Sequence, residues 1–363
     1  MRIVIVGGGV IGLSTAWAAR RRGHEVVVVE QGLLPNPRGS SFGAHRLIRA
    51  PYGDLDGYAK LVLDAYTAWD LLWADLGVSL YRPTGTLALG TEAAPSWTAA
   101  SADQMDRLGI PYLRLEAEDL KSRYPWLKAN DGDWGFHLES GGVLLAGRIV
   151  AALVKHLEEA GVELRQMARV AEVGKSAVLE SGGAVEGDRI VVAAGPWVAR
   201  LVPSLAERVT PSRQVVTYLQ PPPSLQETWA GAPMLLDVGA SGFYAVPPVA
   251  DTPLKVGDHR FSRMGDPDRY REPDEPELEA VANLARDRFR DFDSYRIVGG
   301  RSCFYAVEPD ERFVVEEAGD CLVAGGFSGH GFKFGALVGR RIVDHLEGKV
   351  TAAALGDWAA GRT

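Results

Sequence analysis

Three glycines near the start of the chain have the spacing of a phosphate-binding turn. Gly7, Gly9 and Gly12 fit the pattern G-x-G-x-x-G directly after an apolar, β-branched run. In this pattern the first glycine allows a tight turn, the second lets the backbone approach a pyrophosphate, and the third lets helix and strand pack closely. Glu30 ends the next apolar run, where a carboxylate can accept a hydrogen bond from a ribose 2′-hydroxyl. The spacing therefore predicts a dinucleotide site that does not take a 2′-phosphate.

A second glycine-rich turn, AGGFSGHG, lies near the end of the chain at residues 324–331. It precedes a helical pattern, so it would place another helix N-terminus beside the cofactor. The partial positive charge of that N-terminus would suit the electron-rich end of a reduced flavin, which favours FAD over NAD. A packed strand–helix corner without a ligand is the alternative, and spacing alone leaves it open.

The composition is that of an ordinary soluble globular protein. A chain of 363 residues is long for one hydrophobic core and suggests two intergrown domains. The net charge is -8 and no dense run of lysine or arginine occurs, which argues against nucleic acid as a partner. The two cysteines, Cys303 and Cys321, fit a reducing compartment better than a disulfide scaffold. Without a signal peptide or an apolar run long enough to span a membrane, we expect a cytoplasmic monomer that binds a small molecule.

Hydrophobic patterns predict the elements that must position these residues. Buried strands are predicted at residues 2–6, 25–30, 190–194 and 321–325, and helices at 10–22, 57–76, 145–157 and 334–346. Between Val215 and Phe261, short alternating runs separated by prolines and glycines predict an antiparallel sheet. A charged helix is predicted near residues 277–290.

Nucleotide-type strand–helix pieces thus occur at the start, middle and end of the chain, with antiparallel material between them. The predicted fold is α/β: a discontinuous, Rossmann-type FAD-binding domain with an inserted α+β substrate domain built on an antiparallel sheet. The predicted FAD-binding domain comprises residues 1–80, 145–205 and 300–363, and the predicted substrate domain comprises 81–144 and 206–299.

Five segments together resemble the family of monomeric sarcosine oxidase and N-methyltryptophan oxidase, within the wider D-amino-acid-oxidase-type flavoproteins. They are GGGVIGLSTAW at 7–17, RLIR at 46–49, Lys255-x-x-x-His259, Cys303-Phe304-Tyr305, and GFSGHGFKF at 326–334. The first segment is shared by many flavoproteins, whereas the last is far more specific. The resemblance extends over nearly the whole chain.

The resemblance implies how FAD would be held. Cys303 stands where the family's cysteine forms a thioether to the 8α-methyl group of FAD, although a buried structural thiol is the common fate of a lone cysteine. Cys321, inside an apolar strand, is interpreted as a core residue. The residues assigned to cofactor binding are Gly7, Gly9, Val10, Ile11, Gly12, Glu30, Val170, Gly195, Cys303, Gly326, Gly329, His330, Gly331, Phe332 and Lys333.

The resemblance also implies an active site, and no metal site is assigned. Arg49 and Lys333 match the cations that hold the substrate carboxylate. Lys255 matches the lysine that promotes reaction with O₂. Further active-site positions are matched by Arg46, His259 and Tyr305, and Tyr244 falls near a family tyrosine. Five of these residues have a structural alternative. Arg46 and Arg49 share a face only in a helix or tight turn, and they could instead be solvated surface arginines. Lys255 could lie on an edge strand, Lys333 could snorkel from the core edge, and His259 could be structural.

Two departures from the family pattern leave the identity of the amine open. Ser40-Ser41-Phe42 stands where histidines are expected, and Asp258 stands beside His259 where an aromatic residue is expected. The implied function is FAD-dependent oxidation of the C–N bond of a small secondary amine or amino acid, N-methylated or cyclic, with O₂ as acceptor and imine and H₂O₂ as products. The alternatives are a dehydrogenase of the same fold that uses another acceptor, and a non-catalytic flavin-binding module.

Overall fold

The computed structural model describes residues 1–92, 96–239, 242–269 and 272–362. Its strands are β1 (Arg2–Val6), β2 (Glu25–Val29), β3 (Arg46–Ile48), β4 (Tyr81–Pro83), β5 (Thr86–Thr91), β6 (Leu113–Glu116), β7 (Asp133–Leu138), β8 (Gly142–Leu144), β9 (Glu163–Arg165), β10 (Val170–Val173), β11 (Ser176–Leu179), β12 (Ala184–Glu186), β13 (Arg189–Val192), β14 (Thr210–Gln220), β15 (Met234–Asp237), β16 (Phe243–Val246), β17 (Leu254–Asp258), β18 (Arg296–Val307), β19 (Val314–Ala318) and β20 (Cys321–Gly325). Its helices are α1 (Val10–Arg21), α2 (Asp56–Leu76), α3 (Trp97–Leu108), α4 (Ala117–Arg123), α5 (Ala146–Glu159), α6 (Val198–Leu201), α7 (Gln226–Ala230), α8 (Glu275–Asn283), α9 (Gly335–Leu346) and α10 (Ala352–Ala359).

A six-stranded sheet carries both glycine turns. Its strand order is β19-β20-β13-β1-β2-β9, and every neighbouring pair is parallel except β19 with β20. The inner strands are β-branched and buried because helices and small sheets cover both faces. The four predicted buried strands are confirmed with small differences at their ends. The sheet draws its strands from the start, middle and end of the chain, as the predicted discontinuous fold requires.

Glycines let helix α1 approach its neighbours closely. A Cβ on Gly12 would lie 1.9 Å from the carbonyl oxygen of Gly7, and a Cβ on Gly339 would lie 2.5 Å from the backbone of Ser14. Helices α1 and α9 therefore cross with their backbones almost in contact. The turns that precede them are held side by side at the carboxyl end of the parallel strands, where ligands bind in open α/β sheets.

An eight-stranded sheet forms the second layer. Its order is β18-β14-β17-β16-β15-β5-β7-β6, and it is antiparallel except for the pair β15–β5. The predicted antiparallel sheet is thus confirmed. Its one parallel pair arises because β5, from the predicted substrate-domain segment 81–144, lies beside β15. Strand β18 pairs with β14 along its length, so the predicted domain boundary at residue 300 falls inside a strand of this sheet. Large buried aromatics, including Trp126, Trp229 and Phe289, fill the core beside it.

Two local predictions are corrected. Lys255 lies in β17, which has β14 on one side and β16 on the other, so the edge-strand alternative is wrong. The charged helix ends at Asn283 rather than near residue 290. Beyond it the chain turns inward because Phe289 packs into the aromatic core and forms a bridge with Leu127. Helix α10 was not predicted.

Two small sheets complete the fold. The sheet β3-β8-β4 carries Arg46 at its start, and the sheet β10-β11-β12 carries Val170. Within the described ranges, no helix combines the length and the apolar content needed to cross a membrane.

Candidate active site

The two glycine turns line one cavity. Of the residues assigned to cofactor binding, those that line it are Gly7, Gly9, Val10, Ile11, Glu30, Val170, Gly195, Gly329, Gly331 and Phe332. Gly12, in the first turn of α1, and Gly326, directly after β20, do not line it, and His330 and Lys333 line an adjoining cavity instead. The structure thus brings together residues separated by more than three hundred positions in sequence.

The backbone of the first turn is shaped for close approach of a ligand. Gly7 has φ +114°, and a Cβ there would lie 2.3 Å from the carbonyl oxygen of Ala193, so only glycine fits. At Gly9 an added Cβ would meet nothing nearer than Ser41 Oγ at 3.2 Å. The first N–H groups of α1 have no acceptor within the helix; that of Val10 donates to Ser41 Oγ at 2.9 Å. This is a cradle of the kind that binds pyrophosphate.

Glu30 links the glycine turn to the loop that follows β2. Its carboxylate accepts hydrogen bonds from the Gly8 N–H at 2.7 Å, the Gly32 N–H at 2.9 Å and Asn36 Nδ2 at 2.8 Å. The side chain is buried and lines the cavity. Because an ionised carboxylate has about four lone-pair positions, three protein donors leave room for a ribose hydroxyl.

A second cavity adjoins the first and contains the predicted active site. All seven predicted residues line it: Arg46, Arg49, Tyr244, Lys255, His259, Tyr305 and Lys333. Arg46 and Tyr305 line both cavities, so the two spaces meet at these side chains. Arg46 begins β3, and the chain leaves that strand at Arg49. The end of the strand, rather than a helix, lets the two arginines face one cavity.

Arg49 is a buried cation of the second cavity. It is 9% exposed and donates a hydrogen bond to the carbonyl oxygen of Pro51. Its guanidinium lies over the rings of Tyr52 and Trp97, at 4.8 and 5.2 Å from the ring centroids. Among the residues that the structure describes, no carboxylate forms an ion pair with Arg49; Glu311 is its acidic neighbour in the cavity lining. Burial lowers the pKa of Arg49.

Lys333 is a second buried cation beside Arg49. Its side chain is 4% exposed, and Nζ donates to the hydroxyl of Tyr52 at 3.0 Å. Burial, and then the nearby charge of Arg49, hold the pKa of Lys333 well below its usual value. Within the described part of the chain Lys333 also lacks an ion pair. Two desolvated cations side by side are unfavourable unless an anion binds between them.

Lys255 occupies a different part of the same cavity. It is 3% exposed, and Nζ donates to the carbonyl oxygen of His45 at 2.9 Å and lies 5.5 Å from the ring centroid of Tyr244. Burial and then the charge of Arg46 hold the pKa of Lys255 well below its usual value. The ammonium group has three donors and one described acceptor, so it is available to groups in the cavity.

Arg46 is held by backbone carbonyls. Its guanidinium donates to the carbonyl oxygens of Ser40 at 2.7 Å, Phe42 at 2.7 Å and His45 at 2.8 Å. These contacts fix the loop that contains Ser40, Ser41 and Phe42. Ser40 and Ser41 bind backbone groups of Phe304 and Val10, and Phe42 packs against Arg301, so the three residues build the cavity wall.

The remaining predicted residues differ in how they are placed. Tyr244 and Tyr305 lie close enough to interact electrostatically, and burial raises the pKa of Tyr244 to about 12. Burial, and then the charge of Arg49, lowers the pKa of His259, which favours the neutral imidazole. Asp258 forms an ion pair with Arg260, in which Oδ1 lies 3.0 Å from Nε, rather than with His259.

Cys303 does not line either cavity. It is a free thiol, 5% exposed, two residues before Tyr305 on β18, so its side chain shares the strand face of that tyrosine. Because Tyr305 lines both cavities, Cys303 lies close to their junction.

Among the unpredicted residues, four contact the predicted cations or line the cavity beside them. Tyr52, Trp97 and Glu311 line the second cavity, and the carbonyl oxygen of His45 accepts a hydrogen bond from Lys255. Tyr52 follows Arg49 by three residues and was within reach of a sequence argument. No pattern marks the other three, because Trp97 begins α3 while Glu311 and His45 lie in two separate loops.

Comparison with known proteins bears on these cavities. A family model for FAD-dependent oxidoreductases matches residues 2–345. Peroxisomal sarcosine oxidase of Homo sapiens is 28% identical over 363 residues, which cover 96% of this chain and 92% of that protein. N-methyl-L-tryptophan oxidase of Yersinia pestis (strain Pestoides F) is 26% identical over 354 residues, which cover 93% of this chain and 92% of that protein. The open form of NikD, an unusual amino acid oxidase essential for nikkomycin biosynthesis, has a TM-score of 0.83 at 24% identity and covers 98% of this chain and 96% of that chain.

Proposed function

Because this chain belongs to the family of FAD-dependent oxidoreductases, we propose that it oxidises the C–N bond of a small secondary amine or amino acid that carries a carboxylate, with O₂ as acceptor. The resemblance inferred from the motifs is confirmed at the level of the family. The observation that carries the proposal is the pair of buried cations, Arg49 and Lys333, which share a cavity with Lys255. Both curated relatives are named as oxidases of N-methyl amino acids.

The first cavity suits FAD. The N-terminus of α1 would receive the pyrophosphate and Glu30 would accept a hydrogen bond from the ribose. The second glycine turn would face the flavin, as its place between the two cavities suggests. When bound, FAD supplies the two-electron acceptor for C–N oxidation and returns those electrons to O₂.

Arg49 and Lys333 would orient the substrate. Their charges bind its carboxylate, and fixing one end of a small molecule determines where its amine-bearing carbon lies. The amine must be neutral when the C–N bond is oxidised, and two nearby cations lower the pKa of the substrate ammonium. Overall, the amine and O₂ give the imine and H₂O₂, and water then hydrolyses the imine to a carbonyl compound and the smaller amine.

Lys255 would act in the second half of the reaction. Its ammonium group is fixed by His45 and by the ring of Tyr244, yet retains free donors. A cation held in a dry site stabilises negative charge that develops on oxygen as O₂ is reduced. All the cations in this scheme come from one chain, so a monomer suffices.

A peroxide-coupled screen over secondary amines and amino acids tests the proposed function. We expect activity with carboxylate-bearing secondary amines and one H₂O₂ per amine oxidised. The rival dehydrogenase would be reduced by the same substrates under anaerobic conditions but would stay reduced when air is admitted. A flavin-binding module without catalysis would not be reduced by any member of the panel.

Covalent attachment of FAD through Cys303 is a further prediction. Acid denaturation is expected to leave the yellow colour in the protein precipitate, and intact-mass measurement is expected to show an FAD-sized increment. The matched control is Cys321→Ser, because Cys321 is also a buried free thiol but lies in β20 of the other sheet. Cys303→Ser should release all flavin into the supernatant, and Cys321→Ser should release none. Flavin that stays attached in Cys303→Ser would place the link elsewhere.

Glu30 is predicted to select the unphosphorylated ribose of FAD. Glu30→Gln replaces one acceptor oxygen by an amide N–H₂ that faces other donors, so flavin content after purification is expected to fall by on the order of tenfold. Asn36→Ala is the control, because it removes one donor to Glu30 and keeps the carboxylate. The flavin-to-protein absorbance ratio measures the effect. NADP bound at this site, or undiminished flavin in Glu30→Gln, would contradict the assignment.

A further inference from the structure

The two cations of the second cavity share one neighbour, Tyr52. The guanidinium of Arg49 lies 4.8 Å from the centroid of the Tyr52 ring, and the ammonium of Lys333 lies 4.7 Å from the same centroid. The hydroxyl oxygen of Tyr52 also accepts the hydrogen bond from Lys333 at 3.0 Å. One side chain therefore contacts both groups that the proposed function assigns to the substrate carboxylate.

A chain of hydrogen bonds fixes the direction of the Tyr52 hydroxyl. His330 Nε2 lies 2.9 Å from the carbonyl oxygen of Glu311, which can only accept, so Nε2 carries the proton. Burial, and then the charge of Lys333, holds the pKa of His330 well below its usual value, so the ring is neutral and Nδ1 is an acceptor. Nδ1 lies 3.0 Å from the Tyr52 hydroxyl, which therefore donates its single proton to His330. A lone pair of the Tyr52 oxygen is left for Lys333.

The surroundings hold Tyr52 in this position. Its backbone N–H donates to Gln104 Oε1 at 2.8 Å, and its ring stacks on Tyr58 with the centroids 5.4 Å apart. Tyr52 is 7% exposed. At the far end of the chain of hydrogen bonds, Glu311 has φ +60°, a backbone conformation that is rare for a residue with a side chain. The ring and the hydroxyl therefore have little freedom to move away from the two cations.

The contacts give Tyr52 two separable roles. The negative face of an aromatic ring attracts a guanidinium, and this attraction grows when water is excluded. The oriented hydroxyl accepts a hydrogen bond from one N–H group of Lys333. The other N–H groups of Lys333 can then donate to a ligand. Together these contacts partly offset the repulsion between two neighbouring cations that have no ion pair within the described ranges.

We propose that Tyr52 is a positioning residue that holds Arg49 and Lys333 side by side for the substrate carboxylate, with its hydroxyl oriented by His330. This inference rests on the proposed function, because it presumes that the two cations bind a carboxylate. Tyr52 contacts both cations and need not contact the reacting atoms.

Two variants separate the ring from the hydroxyl. Tyr52→Phe keeps the ring over Arg49 and removes the acceptor of Lys333, whereas Tyr52→Leu removes both. The matched control is Tyr58→Phe, because the Tyr58 hydroxyl belongs to the same aromatic cluster but bonds to Ala359 and Phe313 instead. The ligands are propanoate and its uncharged counterpart propanamide. Their dissociation constants are measured on the holoenzyme from changes in flavin absorbance, and independently from ligand-dependent shifts of Tm.

The expected result is graded. Tyr52→Phe should weaken propanoate binding by about tenfold, because a hydrogen bond to a charged group is lost, and Tyr52→Leu should weaken it further. Propanamide binding should be unchanged in every variant, and Tyr58→Phe should bind propanoate as the natural protein does. With the best substrate of the screen, Tyr52→Phe should raise KM much more than it lowers kcat.

Two outcomes would overturn the inference, and they are distinguishable. If the natural protein prefers propanoate to propanamide but Tyr52→Phe binds propanoate equally well, Tyr52 does not position the cations and the proposed function stands. If the natural protein does not discriminate between propanoate and propanamide, the carboxylate site itself is wrong, and the inference falls with it.

Discussion

Replacing Arg49 by alanine, or Lys333 by methionine, is expected to weaken carboxylate substrates and carboxylate inhibitors by on the order of 2 kcal/mol or more, about thirtyfold in affinity. Both side chains are more than nine-tenths buried, line the same cavity and lack an ion pair among the described residues. The substrate carboxylate is then the partner that each cation lacks. Methionine preserves much of the volume of the lysine stem, so Lys333→Met removes mainly the charge.

The measurement is KM together with the dissociation constant of a carboxylate inhibitor. Lys60→Met is the control, because Lys60 is an exposed lysine of α2 and its replacement is expected to change neither constant. If simple amines without a carboxylate prove to be the better substrates, the assignment of Arg49 and Lys333 is wrong. The cavity would then have to be explained through its aromatic lining, with Tyr244, Tyr305 and Trp97 as the recognition surface.

Lys255→Met is expected to separate the two halves of the reaction. Substrate should still bleach the flavin absorbance under anaerobic conditions at close to the natural rate, because Lys255 is not one of the proposed carboxylate ligands. Return of the absorbance on mixing with O₂ should slow by roughly 10²- to 10³-fold, the scale on which one preorganised donor to a developing oxyanion acts. Stopped-flow absorbance measures both steps on the same preparation.

Lys333→Met provides the opposite pattern for comparison. It should slow reduction at low substrate concentration and leave the reaction with O₂ unchanged. If Lys255→Met reoxidises at the natural rate, Lys255 has a structural role in β17. If the natural protein itself reoxidises slowly in air, the dehydrogenase alternative is favoured.

Local patterns in the sequence were sufficient to predict the first glycine turn and the strands on either side of it. The glycine turn, the strands around it and Glu30 lie within thirty residues of one another, and their chemistry follows from their order. The motif segments then predicted seven side chains that the structure brings into one cavity. Their roles remain proposals, although their proximity is a finding.

The unpredicted parts depend on contacts between distant segments. Trp97 enters the site from the start of α3, and Glu311 and His45 enter it from two loops. The packing of the two large sheets sets the positions of these segments, and no local spacing encodes that packing. Lys255 was ambiguous because an alternating apolar run looks the same in an edge strand and in an interior strand. Helix α8 ends at Asn283, before the predicted residue 290, because Phe289 packs into the aromatic core. This contact also depends on distant segments.

The order of strands in the six-stranded sheet has a consequence for how the protein is made. Strand β20 pairs with β13, which pairs with β1, and the turn after β20 supplies one wall of the cofactor cavity. A nascent chain therefore displays the first glycine turn long before the residues that close the cavity have been synthesised. Contacts between segments so far apart in sequence form late in folding. If FAD binds in this cavity as proposed, we expect its capture only after β20 and the following turn have been synthesised, and a ribosome-stalled chain that ends before β20 should not retain FAD.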